Sequence, residues 1–160
     1  MQERDTESDE QSAGKYNRAF RLVTVCTLAY IAVIGGICHA RYANYQYGDF
    51  DLAVHTQSLW NIIHGSLDSS ILGIPFLGNH MVLILFLLAP FYALFQTPLL
   101  LLYVQTIALA CGALGVFHIA RKRLSAGWAS GLALLYLAYP PLMYLNLYEF
   151  HPVALAVPFL

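Results

Sequence analysis

The sequence predicts an all-α, polytopic helical membrane protein. Apolar residues make up 59% of its 160 residues and charged residues only 11%, less than half of the ~25% found in soluble domains. Nine of the seventeen charged residues precede residue 22, so the remaining chain carries only eight. Its apolar runs approach or reach the length needed to span a bilayer, and short polar segments separate them. These three observations exclude a soluble globular domain.

Residues 1–21 are predicted to form a disordered cytoplasmic tail, because they are polar and densely charged. They do not resemble a secretory signal, since the first ten residues are acidic and polar. The first apolar run, 22–38, is preceded by three basic residues, Lys15, Arg18 and Arg21. The positive-inside rule places this basic flank in the cytoplasm. We therefore expect a multi-pass protein of the cell (plasma) membrane with a cytoplasmic amino terminus.

The outer loop that follows, 39–80, is predicted to contain an amphipathic juxtamembrane helix that starts near Asp51. One of its faces is largely apolar, with Leu52, Thr56, Leu59, Trp60 and Ile63. The opposite stripe is polar, with Asp51, His55, Ser58 and Asn61. A helix of this kind lies flat on a membrane surface. Asp49 is a candidate N-cap, the helix dipole favours Asp51 in the first turn, and Gly65 suits the C-terminal cap.

The rest of the predicted transmembrane domain, 22–160, contains two longer apolar runs, a short one and a final incomplete one. The short run, 81–95, would extend roughly 22 Å as a helix, less than the ~30 Å hydrocarbon core. Residues 99–120 form a full span, and 126–147 form a further span interrupted at Pro140-Pro141. Residues 152–160 read as an incomplete span, which suggests that the chain is truncated at its C-terminus.

The topology of the short run 81–95 has two solutions. If both 81–95 and 99–120 cross the membrane, the basic triplet 121–123 lies outside, against the positive-inside rule. If 81–95 is re-entrant or interfacial, the triplet is cytoplasmic. We favour the second solution because length and charge agree there, although a thinned bilayer or a tilted hairpin would permit the first.

Under the favoured topology, the side chains able to do chemistry face the outer side: Asp49, Asp51, His55, His80, Glu149 and His151. The carboxylate pair of Asp49 and Asp51 can act as a general base or hold a hard divalent cation. Helix capping explains the same pair without catalysis. Glu149 lies beside a predicted span, where an ionisable residue is by default a candidate functional residue. The alternative is that Glu149 is a solvated loop residue. His80 could bind a metal or a phosphate, unless Asn79 simply caps a helix start.

Several function classes lack their motifs in this sequence. There is no phosphate-binding loop, no dinucleotide fingerprint, no zinc-protease motif and no nucleophile elbow. No basic stripe with interleaved aromatic residues occurs, so nucleic acid is not an expected partner. The expected partner is membrane lipid.

Four segments together resemble a known family: YGDFDLAVHTQSLWNIIHG, PFLGNHMVLILFLLAPFYALFQTPLLLLYVQ, IARKRL and YPPLMYLNLYEFHPVALAVPFL. The most specific pieces are FDLAVHTQSLWN, GNH and FHP. From about Gly48 to its end, the chain resembles the N-terminal part of domain-of-unknown-function family twenty seventy-nine. This family of polytopic membrane proteins is distantly similar to GT-C glycosyltransferases.

The resemblance implies a GT-C-like fold and a polyprenyl-phosphate sugar as donor, with transfer outside the cytoplasm and, in some enzymes, a divalent cation. The catalytic acids would be Asp49 or Asp51 in the loop, and Glu149 after the later span. The histidines His55, His80 and His151 would bind substrate. The sequence departs at Asn79, where an acid is expected, which removes one expected metal ligand and leaves the metal open.

The alternative is a non-catalytic carrier, or a scaffold that binds lipid-linked substrates. A transporter places its polar groups on broken helices at mid-membrane, whereas this chain collects them on one side, which counts against transport.

Overall fold

The computed structural model describes residues 2–48 and 50–159, with side chains from residue 13 onward. The protein is mostly helical, as predicted, with one two-stranded ribbon over residues 68–75 in the part that the structure describes. Its elements are α1 (Gln2–Ala43), α2 (Asp51–Ile63), β1 (Asp68–Ser69), β2 (Ile74–Pro75), α3 (Phe76–Asn79), α4 (Ile84–Phe95), α5 (Leu99–Arg121), α6 (Ala126–Leu137), α7 (Pro140–Tyr148) and a 3₁₀ helix (Pro152–Phe159). The strands pair antiparallel, with Asp68 opposite Pro75 and Ser69 opposite Ile74.

Two helices among the described residues are long and apolar enough to cross a membrane, α1 over Ala13–Ala43 and α5. They contain the predicted spans 22–38 and 99–120, which confirms both as helices of spanning length. The apolar helices α4 and α6 have 12 residues each, or about 18 Å, and are therefore shorter than the hydrocarbon core. Whether α4 crosses the membrane stays a prediction.

Helices α1 and α5 run antiparallel along one another. The ring of Tyr16 near the start of α1 lies 5.8 Å from that of Phe117 near the end of α5. At the other end, the position a Cβ would take on Gly35 lies 3.7 Å from the ring of Tyr103, and His39 Nδ1 is 2.8 Å from the Tyr103 hydroxyl. The two helices are therefore in side-chain contact at both ends.

The antiparallel arrangement gives the bundle two chemically different ends. One end, here called the basic end, contains Lys15, Arg18, Arg21 and residues 121–123, and the Arg121 guanidinium lies 4.6 Å from the Tyr16 ring centroid. Its core joins α1, α5 and α6 through four buried side chains, Val23, Phe117, Ala129 and Ala133. The opposite end, here called the site end, joins α2, α4 and α5 through five others, Leu59, Leu85, Leu101, Leu102 and Phe150.

The tail predicted to be disordered, residues 1–21, is instead helical from Gln2. Glu, Gln, Lys, Arg and Ala dominate this segment, and all of them have high helix propensity. From Tyr16 onward the helix also gains tertiary contacts, because Tyr16 and Phe20 stack around Phe117. The structure thus describes a helix where the sequence predicted disorder, and the cytoplasmic location of this segment stays a prediction.

The span predicted over 126–147, with an interruption at Pro140-Pro141, is two helices, because the chain breaks between α6 and α7. Tyr139 has an extended backbone with ψ of 116°, and Pro140 begins α7. Proline cannot donate to the preceding turn and disfavours the helical conformation of the residue before it. The two prolines therefore start a new helix instead of kinking one. The predicted incomplete span 152–160 is a 3₁₀ helix over its described part.

The helix predicted from Asp51 is present as α2, but its faces differ from the prediction. Ser58, assigned to the polar face, is buried and its hydroxyl donates to the Val54 carbonyl at 2.8 Å. Leu59, assigned to the membrane-facing stripe, is completely buried inside the protein, whereas Trp60 on the same stripe is 48% exposed. α2 packs against α4 inside the protein, and this tertiary contact selects a different face from the one suggested by amphipathicity alone.

Candidate functional site

The site is centred on Asp51, the first residue of α2. Its Oδ2 lies 3.5 Å from His151 Nε2, and about half of the Asp51 side chain is exposed. His151 follows α7, so two segments far apart in the sequence meet here. A carboxylate beside an imidazole and open to solvent can accept a proton from a bound hydroxyl group.

Glu149 holds the start of α2 in place. Its buried Oε2 accepts a hydrogen bond from the backbone N–H of Leu52 at 2.8 Å. This N–H lies in the first turn and has no partner within the helix, and the helix dipole favours a negative charge there. Phe50 occupies the N-cap position without a side-chain cap. Asp49, predicted both as the cap and as a catalytic acid, lies outside the described residues.

Gln105, in the second turn of α5, fixes the segment that carries Glu149 and His151. Its Nε2 donates to the Glu149 carbonyl at 2.8 Å, and its Oε1 accepts from the His151 backbone N–H at 2.6 Å. Gln105 is completely buried. The prediction missed this residue, although a Gln-Thr pair within the apolar run 99–120 was a usable signal, since polar groups inside spans are unfavourable unless they have a role.

His55 lies one turn after Asp51 and packs against the same segment. Its Nδ1 is 2.6 Å from the Asp51 carbonyl oxygen, and its ring meets the Phe150 ring edge-on at 5.4 Å. Because a carbonyl can only accept, Nδ1 carries the proton in the neutral ring and Nε2 is the acceptor. Burial lowers the pKa of His55; His151 and His80 lower it further, while Asp51 acts in the opposite direction.

The lowered pKa of His55 predicts that acid destabilises the protein. The usual pKa of histidine is 6.5, and folding favours the neutral imidazole of His55. The stability that this preference gives the folded protein is therefore lost progressively as the pH falls below 6.5. We expect the melting temperature to fall between about pH 7.5 and about pH 5, and to fall less in His55→Gln. Thermal unfolding of the detergent-solubilised protein measures this, with His118→Gln as the control. An equal acid response in both variants would contradict the assignment.

His80 lies at the edge of the site. Asn79 ends α3 and α4 begins only at Ile84, so the predicted role of Asn79 as the cap of the apolar helix is wrong. His80 is exposed, and it lines the same small cavity as His55, whose volume of about 10 Å³ is close to that of a single water. The structure thus brings Asp51, His55, Glu149 and His151 together and leaves His80 at the periphery.

Arg41, near the end of α1, is the one basic side chain at the site end among the described residues. Its guanidinium lies 5.2 Å from the Tyr47 ring centroid, and its buried Nε has no acceptor among the described residues. Burial raises the pKa of Tyr47, which keeps its hydroxyl protonated. Arg41 therefore supplies positive charge beside Tyr47, in the segment that leads from α1 to α2.

Two open cavities flank the start of α2. The larger, here called the tyrosine pocket, has a volume of about 810 Å³ and is lined by Tyr42, Tyr45, Tyr47, Leu52, Ala53, Thr56, Gln57, Trp60, Asn61, Ser66, Asp68, Ser70, Tyr92 and Pro98. The other, here called the α7 groove, has a volume of about 660 Å³ and is lined by Pro140, Pro141, Tyr144, Leu145, Tyr148 and His151. Leu52, next to Asp51, thus lines an aromatic pocket with a polar rim, and His151 lines a largely apolar groove.

A metal site is not built into the described residues. No three His, Cys, Asp or Glu side chains among them come close enough to hold an ion. Hard divalent cations bind through oxygen ligands, and Mg²⁺ takes one or two carboxylates together with waters and substrate phosphates. Among the described residues the site offers one open carboxylate, that of Asp51, because the Glu149 carboxylate is bonded to α2.

The chain matches the family described as "Predicted membrane protein (DUF2079)" over residues 41–160, which is three quarters of its length. The match covers α2 to the 3₁₀ helix and includes Arg41, Asp51, His55 and Gln105 as well as the segment from Glu149 to His151. No curated protein and no solved structure matches the chain. The protein therefore belongs to the DUF2079 family of predicted membrane proteins.

Proposed function

We propose that this membrane protein transfers a sugar from a polyprenyl-phosphate carrier to an acceptor hydroxyl outside the cytoplasm, as GT-C glycosyltransferases do. The observation that carries the proposal is the half-exposed Asp51 carboxylate, held 3.5 Å from His151, with one open cavity lined by the adjacent Leu52 and another lined by His151. Lipid-linked sugar transfer needs such a base at the end of a membrane bundle, beside space for an apolar chain.

The donor fits the tyrosine pocket best. Its tyrosines and Trp60 offer aromatic faces for a sugar ring or isoprene units, and Gln57 and Asn61 offer hydrogen bonds to sugar hydroxyls. Arg41, behind Tyr47, would attract the phosphate. The acceptor would then approach Asp51 from the α7 groove, where His151 can bind it.

In the proposed step, Asp51 removes the proton from the acceptor hydroxyl. The acceptor oxygen forms a bond to the anomeric carbon, the bond from that carbon to the phosphate oxygen breaks, and its electron pair leaves with the polyprenyl phosphate. His151 orients the Asp51 carboxylate, and Glu149 positions Asp51 through the start of α2. This assigns Glu149 a positioning role in place of the predicted catalytic one. A general base of this kind contributes roughly 10²–10⁴-fold to a rate.

A second function, a non-catalytic scaffold that binds lipid-linked substrates, is favoured by one observation. Glu149 is buried and bonded to α2, which leaves one exposed acid at the centre of the described site. A scaffold would bind the carrier lipid in the tyrosine pocket without transferring its sugar.

The two functions are separated by reconstituting the protein in liposomes with radiolabelled polyprenyl-phosphate glucose or mannose and cell-envelope acceptors. Appearance of labelled product together with released polyprenyl phosphate supports the transferase. Saturable binding of the donor without any turnover supports the scaffold and contradicts the transferase.

A further inference from the structure

A second groove lies at the basic end, between α1 and α6, on the opposite end of α5 from Asp51. It has a volume of about 740 Å³. Gln105, which holds the site, and Arg121, at the basic end, are separated by roughly 24 Å along α5 at 1.5 Å per residue. The groove is thus independent of the candidate active site.

The mouth of this groove is positively charged. Lys15 and Arg18 line it from α1, three residues apart and hence on one helix face. Neither forms an ion pair with any side chain that the structure describes. From the other side the groove is lined by the first turn of α6, at Ser125 and Ala126, where backbone N–H groups add partial positive charge.

Beyond the charged mouth the groove becomes apolar. Ala19 and Leu22 line it from α1 and Leu134 lines it from α6, while Gly127 and Gly131 form part of its floor. A Cβ placed on either glycine would meet nothing within 4 Å, so the groove is open along α6. Leu22 is 49% exposed. A charged mouth that continues into an apolar channel suits an amphiphile with an anionic head better than a free anion.

We propose that this groove binds an anionic phospholipid, with its phosphate between Lys15, Arg18 and the start of α6 and an acyl chain along Leu22 and Leu134. Charge complementarity selects the anionic headgroup, and the apolar floor selects the lipid over a soluble phosphate. A lipid bound there joins α1 to α6 at the end where these helices pack on Phe117.

The test measures binding of phosphatidylglycerol to the purified protein by native mass spectrometry, with phosphatidylcholine and glycerol 1-phosphate as comparison ligands. We expect phosphatidylglycerol to bind in preference to both. Lys15→Gln with Arg18→Gln should weaken that binding by roughly tenfold or more, since each basic residue near a membrane surface contributes about fivefold.

Two further variants separate the groove from general surface charge. Arg21→Gln removes the same charge from an exposed position of α1 that does not line the groove, and it should leave binding unchanged. Gly131→Leu fills the channel while keeping every charge, and it should also abolish binding. The proposal is overturned if Arg21→Gln weakens phosphatidylglycerol binding as much as the double variant does. It is also overturned if Gly131→Leu binds the lipid normally, or if glycerol 1-phosphate competes equally with phosphatidylglycerol.

Discussion

Asp51→Asn should reduce sugar transfer by roughly 10²–10⁴-fold, while the protein still folds and still binds the donor lipid. The amide has almost the shape of the carboxylate but cannot accept the proton of the acceptor hydroxyl. Asp51 is half exposed, and its backbone carbonyl, not its side chain, makes the contact with His55. The substitution therefore removes the base without disturbing α2.

The reconstituted transfer assay measures this effect, with expression level and melting temperature as checks on folding. Asp9→Asn serves as the control because it removes the same charge from the amino-terminal segment. The assignment of Asp51 as the base is wrong if Asp51→Asn retains more than about a tenth of the wild-type turnover.

Glu149→Leu should destabilise the protein by about 1.5–3 kcal/mol, the range for losing a hydrogen bond to a charged group. The variant leaves the Leu52 N–H buried without its acceptor and removes the charge that complements the dipole of α2. Because α2 carries Asp51 and His55, the same change should lower transfer activity. Glu149→Gln keeps an oxygen able to accept from Leu52 and should lose much less stability.

Thermal unfolding of the two Glu149 variants in the same detergent, together with their transfer rates, separates positioning from catalysis. If Glu149 positions α2, stability and activity fall together in the Leu variant and both are largely kept in the Gln variant. A Glu149→Gln protein of normal stability without activity would instead identify Glu149 as a catalytic acid.

Hydropathy and residue spacing were sufficient to predict the long helices and the position of α2. A run such as 99–120 is apolar on all sides and long enough that no other element fits it. The helix start at Asp51 follows from local periodicity. The break before Pro140 was only half predicted, since a proline signals an interruption but does not say whether the helix kinks or restarts. The buried face of α2 depends on α4, which no local pattern encodes.

The candidate site shows the same difference between what the local sequence encodes and what tertiary contacts decide. Asp51, Glu149 and His151 could be selected because charged and imidazole groups are rare in an apolar chain. Their roles could not be predicted, because the bond from Glu149 to Leu52 joins residues far apart in the sequence. Gln105 is uncharged and was overlooked for that reason, although it holds the whole segment from Glu149 to His151.

The central claim, that the outer loop and the segment after α7 form one site outside the cytoplasm, is tested most directly by sidedness. Asp68→Cys, Lys122→Cys and Tyr148→Cys are introduced singly in a protein lacking Cys26, Cys38 and Cys111, and intact cells are treated with a membrane-impermeant thiol reagent. All three positions are exposed, whereas Glu149 itself is too buried to label. We predict labelling at 68 and 148, and at 122 only after permeabilisation. Labelling at 122 without labelling at 148 would place Glu149 and His151 in the cytoplasm and contradict the composite site.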